Sequence, residues 1–129
     1  MVEMRSNKIS DKENKTILFF KNEVKKFVQK RGWTKYHTPK HLIDALFVEV
    51  GELAELFLFR EDLNDINKVK DDKDLYSKIS DEVADIFIYL LSFVNCIDLD
   101  LTQAFKRKMQ KNIKKYPVEE FNNGHYYKK

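Results

Sequence analysis

Ile79-Ser80-Asp81-Glu82-Val83-Ala84-Asp85-Ile86-Phe87-Ile88-Tyr89-Leu90-Leu91-Ser92-Phe93-Val94 is among the most apolar stretches of the chain, yet acidic residues stand inside it. Its apolar positions cover nearly every side of a 3.6-residue period from Val83 onward. That pattern predicts a central, buried helix running from near Leu75 to about Cys96. With Asp85 set at 0° on a helical wheel, Glu82 falls at about 60°, Tyr89 at about 40°, Asp81 at about −40° and Ser92 at about −20°. Val83, Ile86, Phe87, Leu90, Leu91 and Val94 take the remaining directions. A single polar stripe therefore runs along an apolar helix.

A second segment repeats the device. Thr38 followed by Pro39 is a strong helix start, with an N-cap hydroxyl and then a residue whose fixed φ suits the first turn. The helix so begun is expected to reach about Arg60. Glu49 and Glu52, three positions apart, project from one face of it, together with His41, Asp44, Glu55 and Phe59. Ile43, Ala54, Phe57 and Leu58 lie opposite. Two such stripes facing each other would form an acidic pocket.

Working outward, Ile17, Phe20, Val24, Phe27 and Val28 recur at helical spacing, and Gly32 is a natural stop beyond them, which defines a first helix. Trp33 to His37 reads as a short connection carrying large aromatics. Residues 61–74 are rich in Asp, Asn and Lys, with Leu63, Ile66 and Val69 as apolar members. They read as a mobile connection or a short marginal helix able to act as a lid. Asp98 or Asp100 offers an N-cap for a last long helix, whose stripe is Leu101, Ala104, Phe105, Met109 and Ile113 and which Pro117 ends. Residues 1–13 and 119–129 read as tails around one domain, 14–118; the second tail carries Phe121, His125, Tyr126 and Tyr127.

The chain has 129 residues, enough for one hydrophobic core, and its 3 Gly and 2 Pro leave little room for the turns of a β-sandwich. The fold class is all-α. Cys96 is the only cysteine, which excludes a disulfide framework within the chain, suits a reducing cytoplasm, and fits a small buried apolar residue. No run approaches the roughly 18 apolar residues of a membrane span. The net charge of +3 is too small to argue for nucleic acid, although Lys106, Arg107, Lys108, Lys111, Lys114 and Lys115 crowd one late segment.

Carboxylates in apolar surroundings need compensation, because leaving them unpaired costs several kcal/mol per ion. No Lys or Arg falls between Leu42 and Phe59, or between Ile79 and Asn95. Solvent or a metal ion remains. An oxygen-only donor set suits Mg²⁺ or Mn²⁺, and the Glu-x-x-His pairs of di-iron bundles are missing. Mg²⁺ held in this way usually bridges protein carboxylates to phosphates, which points to a phosphorylated ligand and to phosphoryl chemistry. The basic residues of the last helix would then face the outer phosphates.

Glu49-Val50-Gly51-Glu52-Leu53-Ala54-Glu55-Leu56-Phe57, Asp81-Glu82-Val83-Ala84-Asp85 with Tyr89, and Lys108-Met109, Asn112 and Lys115-Tyr116-Pro117 together resemble the MazG-like, all-α nucleoside triphosphate pyrophosphohydrolases. Arg31-Gly32-Trp33 with Tyr36, His37 and Pro39 narrows the resemblance to the dCTP pyrophosphatase-like branch, over about residues 16–118. The resemblance implies a four-helix-bundle-type fold assembled as a homo-oligomer, a tetramer or a dimer. It makes Glu49, Glu52, Glu82 and Asp85 the catalytic Mg²⁺ ligands, with Mn²⁺ as a substitute. It implies cleavage between the α and β phosphates of dCTP or of modified, noncanonical nucleotides, giving a monophosphate and pyrophosphate.

By the same resemblance, Trp33, Thr34, Lys35, Tyr36 and His37 hold base and sugar, and Tyr89 touches substrate. Lys108, Asn112, Lys115 and Tyr116 contact phosphates, reaching toward a neighbouring subunit. Val24 stands where dCTP-specific relatives carry a histidine and cannot hydrogen-bond a base, whereas Phe59, which replaces a tryptophan after the first acidic motif, can still stack on one, so base preference is left open. Hydrolysis of dUTP or phosphoribosyl-ATP is the alternative chemistry. A non-enzymatic nucleic-acid-binding module built on Lys106 to Lys115 is a distant second, since it gives the acidic pairs no role.

Overall fold

The computed structural model describes residues 10–124. His125, Tyr126 and Tyr127, and residues 1–9 of the expected N-terminal tail, lie outside them. The chain divides into two compact units, one up to Ile97 and one from Asp98. The first contains α1 (Ile17–Lys30), a 3-10 turn (Thr34–Tyr36), α2 (Pro39–Glu55), a second 3-10 turn (Glu61–Asn64), α3 (Ile66–Asp71) and α4 (Lys73–Cys96). The second contains α5 (Leu101–Lys115) and the single turn α6 (Val118–Phe121). No strand occurs among the described residues. None of their helices is long and apolar enough to cross a membrane.

Side-chain caps start the long helices where the sequence places them. Thr16 accepts from Phe19 N at 3.1 Å, Thr38 from His41 N at 3.4 Å, Asp72 from Leu75 N at 3.0 Å and Asp100 from Gln103 N at 2.9 Å. Each satisfies one of the four N–H groups that a helix start leaves open. Of the two expected caps for α5, Asp100 is therefore the one used.

The expected end of α2 is corrected. The helix stops at Glu55 rather than near Arg60, and the chain tightens into bonds three residues apart, Phe57 N to Ala54 O at 3.0 Å and Arg60 N to Phe57 O at 3.1 Å. Phe59 sits in the left-handed region at φ 59°, which costs a residue with a Cβ about 1 kcal/mol and stops helical propagation. Hydrophobic periodicity alone does not register such a turn.

In the first unit α2 and α1 both pack on α4. Leu42 of α2 and Leu91 of α4 are each 1% exposed, and Val28, Leu63, Leu75 and Val94 complete the buried apolar set among the described residues. Phe20 and Phe87 meet edge to face at 5.7 Å between ring centres, and Asn95 Nδ2 donates to Lys21 O at 3.0 Å, tying α4 to the α1 backbone. The helix expected to be buried nearly all round is not: Val83 is 50% and Ile88 42% exposed. Within one copy its burial is concentrated in the C-terminal half.

Candidate functional site

Glu49 on α2 and Glu82 and Asp85 on α4 converge where the two helices meet. One carboxylate oxygen from each lies within 4.8 Å of the others. Helical periodicity puts Glu82 and Asp85 on one face, and the packing of α2 brings Glu49 across to them. Glu49 Oε2 and Glu82 Oε2 are buried without a hydrogen-bond partner in the protein. Glu52 lies outside this tight group, but its carboxyl acts on both Glu49 and Glu82.

Like charges held this close cannot all ionise cheaply. Burial first, then the adjoining carboxyls of Glu82 and Glu52 and the charge of Asp85, push Glu49 up to about 7. Burial also raises Glu82, reinforced by the charges of Glu52 and Asp85. An oxygen-only donor set with orphaned, buried oxygens and an excess of negative charge suits a hard divalent cation.

A pH dependence follows. Folded Glu49 holds its proton between an ordinary carboxylate value and about 7, where the unfolded chain has lost it, so stability falls as pH rises through that window. The thermal midpoint of the cation-free protein is therefore expected to drop on going from about pH 4.5 to above about pH 7. Glu49→Gln should flatten the profile. Differential scanning fluorimetry with and without Mg²⁺ checks both, and the gain from Mg²⁺ should grow with pH as protons and cation compete for the same oxygens.

A cavity of about 270 Å³ opens near the far end of α4, lined by Val24, Val28, Thr34, His37, Ser92, Asn95 and Cys96 along with Lys25 and Gln29. Thr34 and His37 of the sequence-derived substrate segment thus meet Val24 at one wall. Burial keeps the His37 imidazole below its usual range and hence neutral near pH 7.

Trp33 and Tyr36 lie outside the cavity wall, 44% and 60% exposed. The Trp33 ring packs at 5.7 Å from Phe27, and Lys35 Nζ lies 5.2 Å from the Tyr36 ring centre. Phe59 is 94% exposed and touches neither site, while Tyr89 is half-buried on α4 between the cluster and Ser92. Lys108, Asn112 and Lys115 lie on α5 and Tyr116 caps it, all in the second unit. The Tyr116 ring meets Phe121 at 5.4 Å, so the segment after Pro117 is a helical turn rather than a bare tail.

Two residues differ from their sequence reading. Cys96 is exposed rather than buried: it is the last residue of α4, and its thiol donates to His37 O at 3.2 Å. Asn95, which the sequence reading left unassigned, lines the cavity. A polar side chain at the end of an apolar run was the available signal.

Residues 45–129 match the MazG-like family, and the chain belongs to it. It is 37% identical over 92 residues to dCTP pyrophosphatase 1 of Mus musculus, covering 71% of this chain and 54% of that one. The Homo sapiens dCTP pyrophosphatase 1 is 34% identical over the same shares. The chain thus spans about half the length of the curated relatives it matches. A crystal structure of a pyrophosphatase from Archaeoglobus fulgidus is similar over 84% of this chain and 99% of that one, with a TM-score of 0.71 and 33% identity.

Proposed function

We propose that the chain is a Mg²⁺-dependent nucleoside triphosphate pyrophosphohydrolase that cleaves between the α and β phosphates of dCTP or of noncanonical nucleotides. The observation that carries this reading is the convergence of Glu49, Glu82 and Asp85, with two buried oxygens left without partners. The similarity to dCTP pyrophosphatase 1 and to the Archaeoglobus fulgidus pyrophosphatase structure supports it. Glu49, Glu82 and Asp85 would hold the cation, with Glu52 beside them. The cation, when bound, neutralises phosphate oxygens as charge shifts during in-line displacement.

The chain's own groups do the rest. A free oxygen of Glu49 would orient or deprotonate the attacking water. Tyr89, half-buried on α4 between the acidic residues Glu82 and Asp85 and the cavity residue Ser92 in sequence, is assigned to substrate from the family pattern. Lys108, Asn112, Lys115 and Tyr116 are assigned to the outer phosphates, and Trp33, Lys35, Tyr36 and Phe59 to the nucleoside, from the family pattern.

The direct test offers purified protein and Mg²⁺ a panel of dCTP, methylated dCTP, dUTP, the other triphosphates and phosphoribosyl-ATP. Monophosphate and pyrophosphate are the expected products. Orthophosphate with a diphosphate would overturn the bond assignment.

The proposal includes a homo-oligomer, a tetramer or a dimer. Phe47, Val48 and Val50 on α2 are 77%, 55% and 44% exposed, and Val83 and Ile88 extend apolar exposure to α4. Clustered exposure of this kind marks an association surface. Phe47→Lys is expected to shift the particle to a smaller species in light scattering coupled to size exclusion; an unchanged mass would remove Phe47 from any interface.

A further inference from the structure

The polar stripe on α4 continues past the carboxylates to Ser92, for which the proposed chemistry has no use. Ser92 is 5% exposed and lines the cavity. Its hydroxyl can both donate and accept, and at the cavity wall it is placed to do so toward a ligand. One turn on, Asn95 commits its Nδ2 to Lys21 O at 3.0 Å. That bond fixes the amide, leaving Oδ1 as an acceptor beside the same cavity.

Ser92 follows Asp85 by seven positions, so it lies about 10 Å along the helix and within about 20° of the same face. One sugar spans roughly that separation between a nucleotide's phosphates and its base. The cavity, about 270 Å³, falls below the size usual for a whole small-molecule ligand and suits one flat heterocycle. Val24 and Val28 give it an apolar wall, no carboxylate lines it, and the Cys96 thiol is already paired with His37 O.

We infer that Ser92 and Asn95 read the base, with Asn95 Oδ1 accepting from an exocyclic amino group and the Ser92 hydroxyl donating to the ring acceptor beside it. This deepens the pyrophosphohydrolase reading and rests on it. An amino-bearing base such as cytosine or adenine satisfies both groups. A keto oxygen in the amino position, as in uracil, thymine or guanine, sets two acceptors against each other, a mismatch that hydrogen-bonding sites penalise heavily.

The experiment compares kcat/KM for dCTP, dATP, dUTP, dTTP and an abasic deoxyribose triphosphate in the parent, Asn95→Leu and Ser92→Ala. The parent is expected to favour amino over keto bases by about tenfold or more, and Asn95→Leu to erase that ratio. The ratio of dCTP to abasic triphosphate should fall with it. Ser92→Ala removes one hydroxyl without touching the α1 tie, so it reads the base contact even if Asn95→Leu folds poorly. Equal loss on abasic and base-bearing substrates, or an unchanged amino-to-keto ratio in Ser92→Ala and in folded Asn95→Leu, overturns the assignment.

Cys96 supplies a readout independent of turnover. As the only cysteine, and one lining the cavity, it should be alkylated more slowly by iodoacetamide in the presence of dCMP than of dUMP. Ser92→Ala should reduce that difference. A parent that hydrolyses no triphosphate yet shows this protection defeats the reaction and keeps the base site. No protection by dCMP defeats the base site.

Discussion

Glu49→Gln is expected to lower kcat/KM on a nucleoside triphosphate by about 10³-fold or more, roughly 4 kcal/mol of transition-state stabilisation. The substitution keeps the side chain's size and removes only its charge and basicity, so on the proposed reading it strikes both the cation cluster and the proton acceptor. Because Glu49 is one of several repelling carboxyls, the variant should stay folded. Its thermal midpoint near neutral pH, without cation, should match or exceed the parent's. Loss of rate with retained fold is the signature of a functional carboxylate. Turnover within tenfold of the parent would remove Glu49 from the chemistry. Asp85→Ala should behave alike in rate.

Leu91→Ala has the largest expected effect on stability, about 2–5 kcal/mol, out of the 5–15 kcal/mol typical of a whole domain. Leu91 is 1% exposed, so truncation leaves an enclosed void. Urea unfolding should show an earlier midpoint with little change in slope. A loss below about 1 kcal/mol would mean that the surrounding helices collapse into the space.

The helix starts at Thr38 and Asp100 were legible because each is written locally: a Thr or Asp cap needs only its own next residues. The acidic cluster was legible for a related reason, since two three-residue spacings in uninterrupted apolar helices fix faces without any knowledge of packing. The end of α2 was not, because Phe59 adopts a positive φ that no residue preference at that position announces. Burial of α4 was overestimated at Val83 and Ile88, where hydrophobicity records that a surface wants cover and not what supplies it. The cavity was half legible. Val24, Thr34 and His37 came through the family resemblance, whereas Asn95 and Cys96 become neighbours of that wall only through the α1–α4 packing.

The meeting of Glu49 with Glu82 and Asp85 has a cellular consequence. Those carboxylates come from separate helices, so the unfolded chain has no comparable site, and a cation that binds only the folded form adds stability by mass action. The gain is about 2.7 kcal/mol at a hundred times the dissociation constant. On the proposed reading, cation supply therefore sets two quantities at once, the rate of each molecule and the number of molecules that survive proteolysis. A shortage would be felt as the product of the two losses, steeper than either alone.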